Sequence, residues 1–327
     1  VKSKIRLLIP YYGKWPNYFN LFLEGCRLNS EFDFLLITDL PPPCSCPSNV
    51  QFHQLSFEEL RSLIGRKIKK KTLLFQPYKL CDFKPMYGVI FSDFLTGYDF
   101  WGYGDIDLVY GRLSKFITES LLENHDIISL RKHWLSGCFV LLKNVSRINF
   151  LYTESPSWEL VAEKNSYMGF DECLGNYFKN LEEGESLFDL DKNDSMSLLV
   201  KKNSMAGEIR TYFEDVIAED LKQEEYIQWA AGAVLGKSGK EYPLFHYVQL
   251  KSLDAFFFPI LNNVEKKYYI TETGLYRVNE FEGKIYFILK IWRKIKGFGR
   301  RMARIPARVR KIWNKVFDCT RSATTGQ

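Results

Sequence analysis

Apolar and polar residues follow one another along this chain in blocks whose period changes several times. Residues 4–10 carry the run Leu7-Leu8-Ile9 and stop at Pro10-Tyr11-Tyr12-Gly13, which predicts a buried strand running into a loop. Over 17–28, Tyr18, Leu21, Phe22, Gly25 and Leu28 recur at helical spacing. Residues 32–38 read as a second strand, closed by Asp39 and three prolines. A third strand is expected over 50–55. A helix follows over 57–70, where Ser56 and Glu59 stand at the spacing of a reciprocal N-terminal cap. Further on the pattern predicts a helix over 87–95 and strands over 98–103, 127–130 and 137–142. From 150 to 235 the chain turns more polar and more helical, and 256–258, 268–271 and 275–278 are late strands or loops. Strand and helix alternate, which argues for an α/β fold around a mostly parallel central sheet with flanking helices.

The 327 residues, 46% hydrophobic, suffice for one large domain or two modest ones with a sizeable core. Aromatic residues make up 16%, which favours deep pockets and broad packed surfaces. No apolar stretch reaches 18 residues, which excludes an ordinary membrane-spanning helix. The first apolar run ends at Pro10, too early for a signal-peptide core. Cysteines at 26, 44, 46, 81, 138, 173 and 319 have neither zinc spacing nor an even count. Reduced thiols in or near the core of a cytoplasmic protein are the expectation.

Charge changes the picture more sharply. Residues 284–327 hold 13 Lys/Arg against the single acid Asp318, a net of +12, which leaves residues 1–283 at −6. In that segment Ile285, Ile288, Leu289, Trp292 and Ile295 share one helical face. After Gly297 and Gly299 a second pattern begins with Met302, Ile305, Val309, Ile312, Trp313, Val316 and Phe317, opposite Arg301, Arg304, Arg308, Lys311 and Lys315. Residues 1–283 thus read as a folded domain and 284–327 as a basic amphipathic helical tail. Such helices, with tryptophans such as Trp292 and Trp313 at the apolar edge, suit an anionic membrane surface. The expected location is peripheral, at the inner face of the cell membrane. No nucleic-acid-binding motif accompanies the charge, so nucleic acid is not an expected partner.

The densest chemical signal is Trp101-Gly102-Tyr103-Gly104-Asp105-Ile106-Asp107-Leu108-Val109-Tyr110-Gly111. Two carboxylates one residue apart, just after an apolar strand, can share a hard cation whose other positions are filled by phosphate oxygens. Asp189-Leu190-Asp191 has the same spacing in a polar segment without the glycine of a calcium loop, and reads as a solvated turn. Together with Pro77-Tyr78-Lys79-Leu80-Cys81-Asp82-Phe83-Lys84-Pro85 some 20 residues upstream, the sequence over roughly 4–255 resembles GT-A nucleotide-sugar glycosyltransferases. More narrowly, it is similar to a mostly uncharacterised bacterial family that builds cell-surface polysaccharide such as capsule or O-antigen.

That resemblance implies a GT-A fold and places Pro10, Tyr11, Tyr12 and Asp39 against the donor's base and ribose. It implies donor contacts from Lys79, Asp82 and Lys84, the last opposite the diphosphate, and a sugar pocket closed by Ser136 and Gly137. In Gly169-Phe170-Asp171-Glu172, Asp171 is the first choice and Glu172 the second for a base that takes the acceptor proton. The segment Phe245-His246-Tyr247-Val248-Gln249-Leu250-Lys251 is similar to one in which the histidine is the third metal ligand and the lysine meets phosphate. A neutral imidazole favours Mn²⁺ over Mg²⁺.

The implied activity is metal-dependent transfer from a nucleoside-diphosphate sugar, a UDP-sugar first, to a membrane-proximal or lipid-linked glycan. His246 leans toward retention and Asp171-Glu172 toward inversion, and both stay open. A nucleotidyl- or phosphotransferase, or a non-catalytic membrane-associated assembly partner with a nucleotide-sugar fold, are the alternatives. Against the former, the chain lacks a glycine-rich phosphate cradle.

Overall fold

The computed structural model describes residues 2–70, 72–222, 224–259 and 266–304. Its strands in chain order are β1 (Ile5–Pro10), β2 (Phe32–Thr38), β3 (Val50–Gln54), β4 (Phe100–Gly104), β5 (Leu108–Tyr110), β6 (Ile127–Ser129), β7 (Phe139–Lys143), β8 (Thr211–Phe213), β9 (Ala218–Glu219), β10 (Ile227–Ala230), β11 (Ala233–Gly236), β12 (Glu241–Tyr242), β13 (Leu244–His246), β14 (Lys267–Thr271) and β15 (Gly274–Arg277). They form a large sheet, β3-β2-β1-β4-β7-β6-β8, and two smaller ones, β12-β11-β10-β14-β15 and β5-β13-β9.

In the large sheet β1 pairs in parallel with β2 and β4, β2 with β3, and β6 with β8. Only β7 runs against its neighbours β4 and β6. Buried from both sides, β1 and β2 read as continuous apolar runs rather than alternations. Their side chains still divide by parity. Leu7, Ile9, Phe34 and Leu36 join the core beneath helix Phe19–Arg27, and Leu8, Leu35 and Ile37 the one beneath helix Phe57–Ile68. The reciprocal cap forms: Ser56 Oγ accepts from the Glu59 amide at 3.2 Å, and the Glu59 carboxylate accepts from the Ser56 amide at 2.8 Å.

Several expectations need correction. The large sheet is mostly parallel, as expected, but the architecture is mixed α/β, with two smaller sheets beside it that the pattern does not announce. The segment expected to stay helical to 235 turns into short strands from Thr211 onward. The helix expected over 87–95 is one turn, Tyr87–Ile90, followed by the 3₁₀ turn Ser92–Phe94. Asp191 is no solvated turn residue: its buried carboxylate accepts from the amides of Asn193 and Ser195, both at 2.9 Å. Cys26, Cys138 and Cys173 are buried thiols, but Cys44 and Cys46 are exposed, and Cys319 lies outside the described residues.

Helix Tyr286–Arg304 runs continuously through Gly297 and Gly299. Arg308 and Trp313 lie outside the described residues, as does all of the second amphipathic pattern beyond Arg304. No helix among the described residues is long and apolar enough to cross a membrane.

Candidate metal centre and cleft

Strand β4 ends at Gly104, and the chain then turns through Asp105-Ile106-Asp107 into β5, which leaves the large sheet to pair with β13. The antiparallel register sets His246 opposite Leu108, next to Asp107. On the other side of β13 the parallel strand β9 sets Glu219 opposite His246. Three short strands thus bring together residues more than a hundred positions apart.

One ligand atom from each of Asp105, Asp107 and His246 falls within 4.8 Å of the others. His246 Nδ1 lies 3.0 Å from Glu219 Oε1. As a neutral imidazole, His246 donates there and presents the Nε2 lone pair to the two aspartates. That Nε2 is buried without a hydrogen-bond partner, 3.5 Å from Asp107 Oδ2. An orphaned imidazole nitrogen beside two carboxylates, oriented by a third carboxylate behind it, is a donor set that fits a divalent cation. Arg131 pairs in turn with Glu219 at 2.5 Å.

Two lysines close on the aspartates. Lys84 Nζ donates to Asp105 Oδ1 at 2.8 Å and to the Gly137 carbonyl at 2.6 Å, and Lys251 pairs with Asp107 Oδ2. Burial opposes the charged ammonium of Lys84, but Asp105, Cys81 and Asp171 together outweigh it and the pKa is raised well above the usual lysine value. Burial likewise opposes the Asp107 carboxylate, and His246 with Lys251 overcomes it, holding the pKa well below the ordinary range. At His246 burial disfavours the imidazolium, yet Cys138, Asp107 and Glu219 raise its pKa above the usual value. A cation at this site therefore competes with a proton.

Above the cluster opens a cleft of about 440 Å³, into which Pro10, Tyr11, Tyr12, Lys84, Asp105, Asp107, Gly137, Asp171, Glu172, His246 and Lys251 all face. Tyr11 stacks on Trp15, centroids 5.5 Å apart, which stiffens one wall. Gly137 lets Glu172 pack against the backbone there, because a Cβ would come within 2.6 Å of the Glu172 carboxyl carbon.

A protein-family model matches this chain over residues 7–279. The chain belongs to DUF6625, a family of unknown function. No curated protein matches it. Among solved structures, galactosyltransferase LgtC in complex with donor and acceptor sugar analogs is similar over 65% of this chain and 75% of that one. The identity is 9% and the TM-score 0.34, a likeness that carries no assignment of activity.

In this DUF6625 chain Asp171 is almost wholly buried, accepts from the Tyr167 hydroxyl at 3.1 Å and lies 3.9 Å from Lys84 Nζ. Burial raises its pKa well above the ordinary carboxylate value against the pull of Lys84, and Glu172 and Asp82 add to the rise. Glu172 is raised too, mainly by burial, although its Oε1 accepts from the Gly137 amide at 2.9 Å.

Four residues expected at the donor do not line the cleft. Lys79 and Asp82 are paired with each other at 2.7 Å and fully buried. Asp82 accepts from the Met168 and Phe170 amides, both at 2.8 Å, and Lys79 donates to the Ser166 carbonyl at 3.0 Å, so the pair fastens the loop ahead of Asp171. Ser136 is buried against Cys138, 3.3 Å away, and Asp39 is exposed beyond the end of β2. Pattern reasoning in turn missed Glu219, Arg131, Tyr18, Tyr78 and Tyr167. Glu219 sits on a two-residue strand whose importance only its pairing with β13 reveals.

Proposed function

We propose that this cleft is the active site of a divalent-metal-dependent GT-A-type glycosyltransferase that uses a nucleoside-diphosphate sugar, foremost a UDP-sugar. The observation that carries the reading is the convergence of Asp105, Asp107 and the unpartnered Nε2 of His246 at the mouth of a cleft flanked by Lys84 and Lys251. Held by Asp105, Asp107 and His246, Mn²⁺ (or Mg²⁺) would supply positive charge to the departing diphosphate. The imidazole favours Mn²⁺. Lys84 and Lys251 add preorganised positive charge beside the position where charge develops on the leaving group.

Tyr11 and Tyr12 offer an aromatic wall for the base, and Gly137 leaves room for the sugar ring. As the bond from the sugar's anomeric carbon to the diphosphate breaks and the acceptor oxygen takes its place, the acceptor proton needs a base. Asp171, with its raised pKa, is the first choice and Glu172 the second. The acceptor that suits a chain with a basic, apolar C-terminal helix is a membrane-proximal or lipid-linked glycan of bacterial surface polysaccharide synthesis, met at the inner face of the membrane.

The test is a thermal-shift panel of UDP-, GDP- and dTDP-sugars with and without Mn²⁺. One nucleotide should stabilise the protein in a Mn²⁺-dependent way, by about 2.7 kcal/mol at a hundredfold excess over Kd. That increment should vanish in Asp105→Ala and Asp107→Ala. No nucleotide binding, or an unchanged Mn²⁺ increment in both variants, refutes the reading.

A further inference from the structure

Helix Tyr286–Arg304 packs on the body in an unusual sense: its buried positions are Arg293 and Gly297, one turn apart, while its large apolar residues point outward. Arg293 Nη1 donates to the Leu275 carbonyl at 2.8 Å and to the Thr273 carbonyl at 3.3 Å, and the guanidinium lies 3.7 Å from the centre of the Tyr276 ring. Gly297 lets the helix backbone touch the segment before Phe256, since a Cβ there would fall 2.7 Å from Ala255 Cα. Lys290 and Lys294 both reach Glu272, at 3.2 and 2.9 Å. The helix is therefore latched to the second sheet by these polar contacts, together with Tyr286 against Tyr276 and Phe281 at its start.

On the far side Phe287, Ile288, Ile295 and Phe298 are 60 to 69% exposed, with Ile291 beside them and Trp292 at the margin, where its ring also meets Phe257 of the body, centroids 6.4 Å apart. At about 100° per residue these six fill an arc of about 140° opposite Arg293. Scattered surface hydrophobics need no explanation, but a continuous row like this does. Lys294 and Arg301 border the arc on one side and Lys296 and Arg300 on the other.

We infer that this outward face docks on an anionic lipid surface, with the Arg293 latch fixing the attitude of the body to the membrane. The charge of this segment selects the occupant. A second copy would set one +12 segment against another, whereas a lipid surface of opposite sign matches both the basic borders and the further Lys/Arg after Arg304. Trp292 stands at the edge of the arc, where an indole meets the headgroup level. The inference is independent of the transferase reading.

Flotation of the full chain with phosphatidylcholine vesicles, with and without phosphatidylglycerol, tests it. The wild type should float with the anionic vesicles only. Ile288→Glu/Ile295→Glu should cut that partition about tenfold or more. Lys296→Glu/Arg300→Glu should weaken it in low salt and remove much of its salt dependence. Circular dichroism and the Mn²⁺–nucleotide thermal shift check that these exposed changes leave the fold and the cleft alone, so failure here and failure of the transferase reading are told apart. A wild type that ignores anionic vesicles overturns the inference, as does an apolar-face variant that floats equally well. So does a concentration-dependent dimer that only Ile288→Glu/Ile295→Glu dissolves, which would assign the face to self-association.

Discussion

Lys79 and Lys84 leave the same ten-residue 3₁₀ helix, Pro77–Met86, and each meets an aspartate, yet the two pairs serve opposite ends. In a 3₁₀ helix side chains three apart eclipse, so Lys79 and Asp82 pair within their own turn, with no exposure on either side chain. Both are bonded further to the backbone of 166–170. Lys84 instead reaches across to Asp105, whose side chain is 32% exposed and shares a cleft with Asp107 and His246. A buried pair whose further hydrogen bonds go to the backbone is part of the scaffold. A pair with one partner open to the cleft and close to an unpartnered imidazole nitrogen can be rearranged by a ligand.

The largest expected effect breaks the closed pair. Asp82→Ala leaves the Lys79 charge buried and two amides without an acceptor, and should cost about 3–5 kcal/mol in urea denaturation. A loss below about 1 kcal/mol would place it with surface pairs instead. Lys84→Met should destabilise less, because Asp105 can take up water, while lowering the proposed sugar transfer by about 10²–10³-fold, the usual cost of losing one preorganised group that meets developing charge. If the two variants lose stability equally and transfer is untouched, the distinction between the pairs fails. Next in size is Glu219→Gln, which keeps the shape but weakens the acceptor behind His246 Nδ1. Mn²⁺ affinity by calorimetry should fall about 10–100-fold with little change in melting temperature.

What the sequence makes legible follows the length of the signal. The long apolar runs of β1 and β2 and the Ser56–Glu59 cap stand out locally, because burial from both faces and a three-residue spacing are properties of the sequence itself. Strands β8 to β13, of two to four residues each, leave no period to detect, and they are the ones that carry Glu219 and His246 to the aspartates. Asp105, Asp107 and His246 could be named by residue type and resemblance, but that they converge depends on registers no local pattern encodes. Lys79 and Asp82 mislead for the converse reason: the motif that marks the cleft also contains its foundation. On helix Tyr286–Arg304 periodicity finds part of the apolar stripe, Ile288, Trp292 and Ile295, but it cannot say that Arg293, rather than the stripe, faces the body.

A third lysine-rich contact completes the series at its weakest end. Just after β5, Arg112 and Lys115 both reach Glu241 on β12, at 2.7 and 2.5 Å, tying the strand that follows the metal cluster to the second sheet. Both cations are more than half exposed, so the link is worth less than about 1 kcal/mol. Hydrogen bonding from Arg112 lowers the Glu241 pKa from 4.5 to about 2 against the effect of burial, and Lys115 adds to the lowering. The folded state thus holds this proton less tightly than the unfolded chain. The stabilisation is complete above the unfolded value of about 4.5 and disappears as pH falls through about 2. Glu241→Gln should therefore lower stability slightly at neutral pH and flatten the acid limb between about 4.5 and about 2, as read from urea midpoints across that range. An equally steep acid limb in the variant would show that this contact, unlike the sealed pair at Lys79, does not hold the protein together at all.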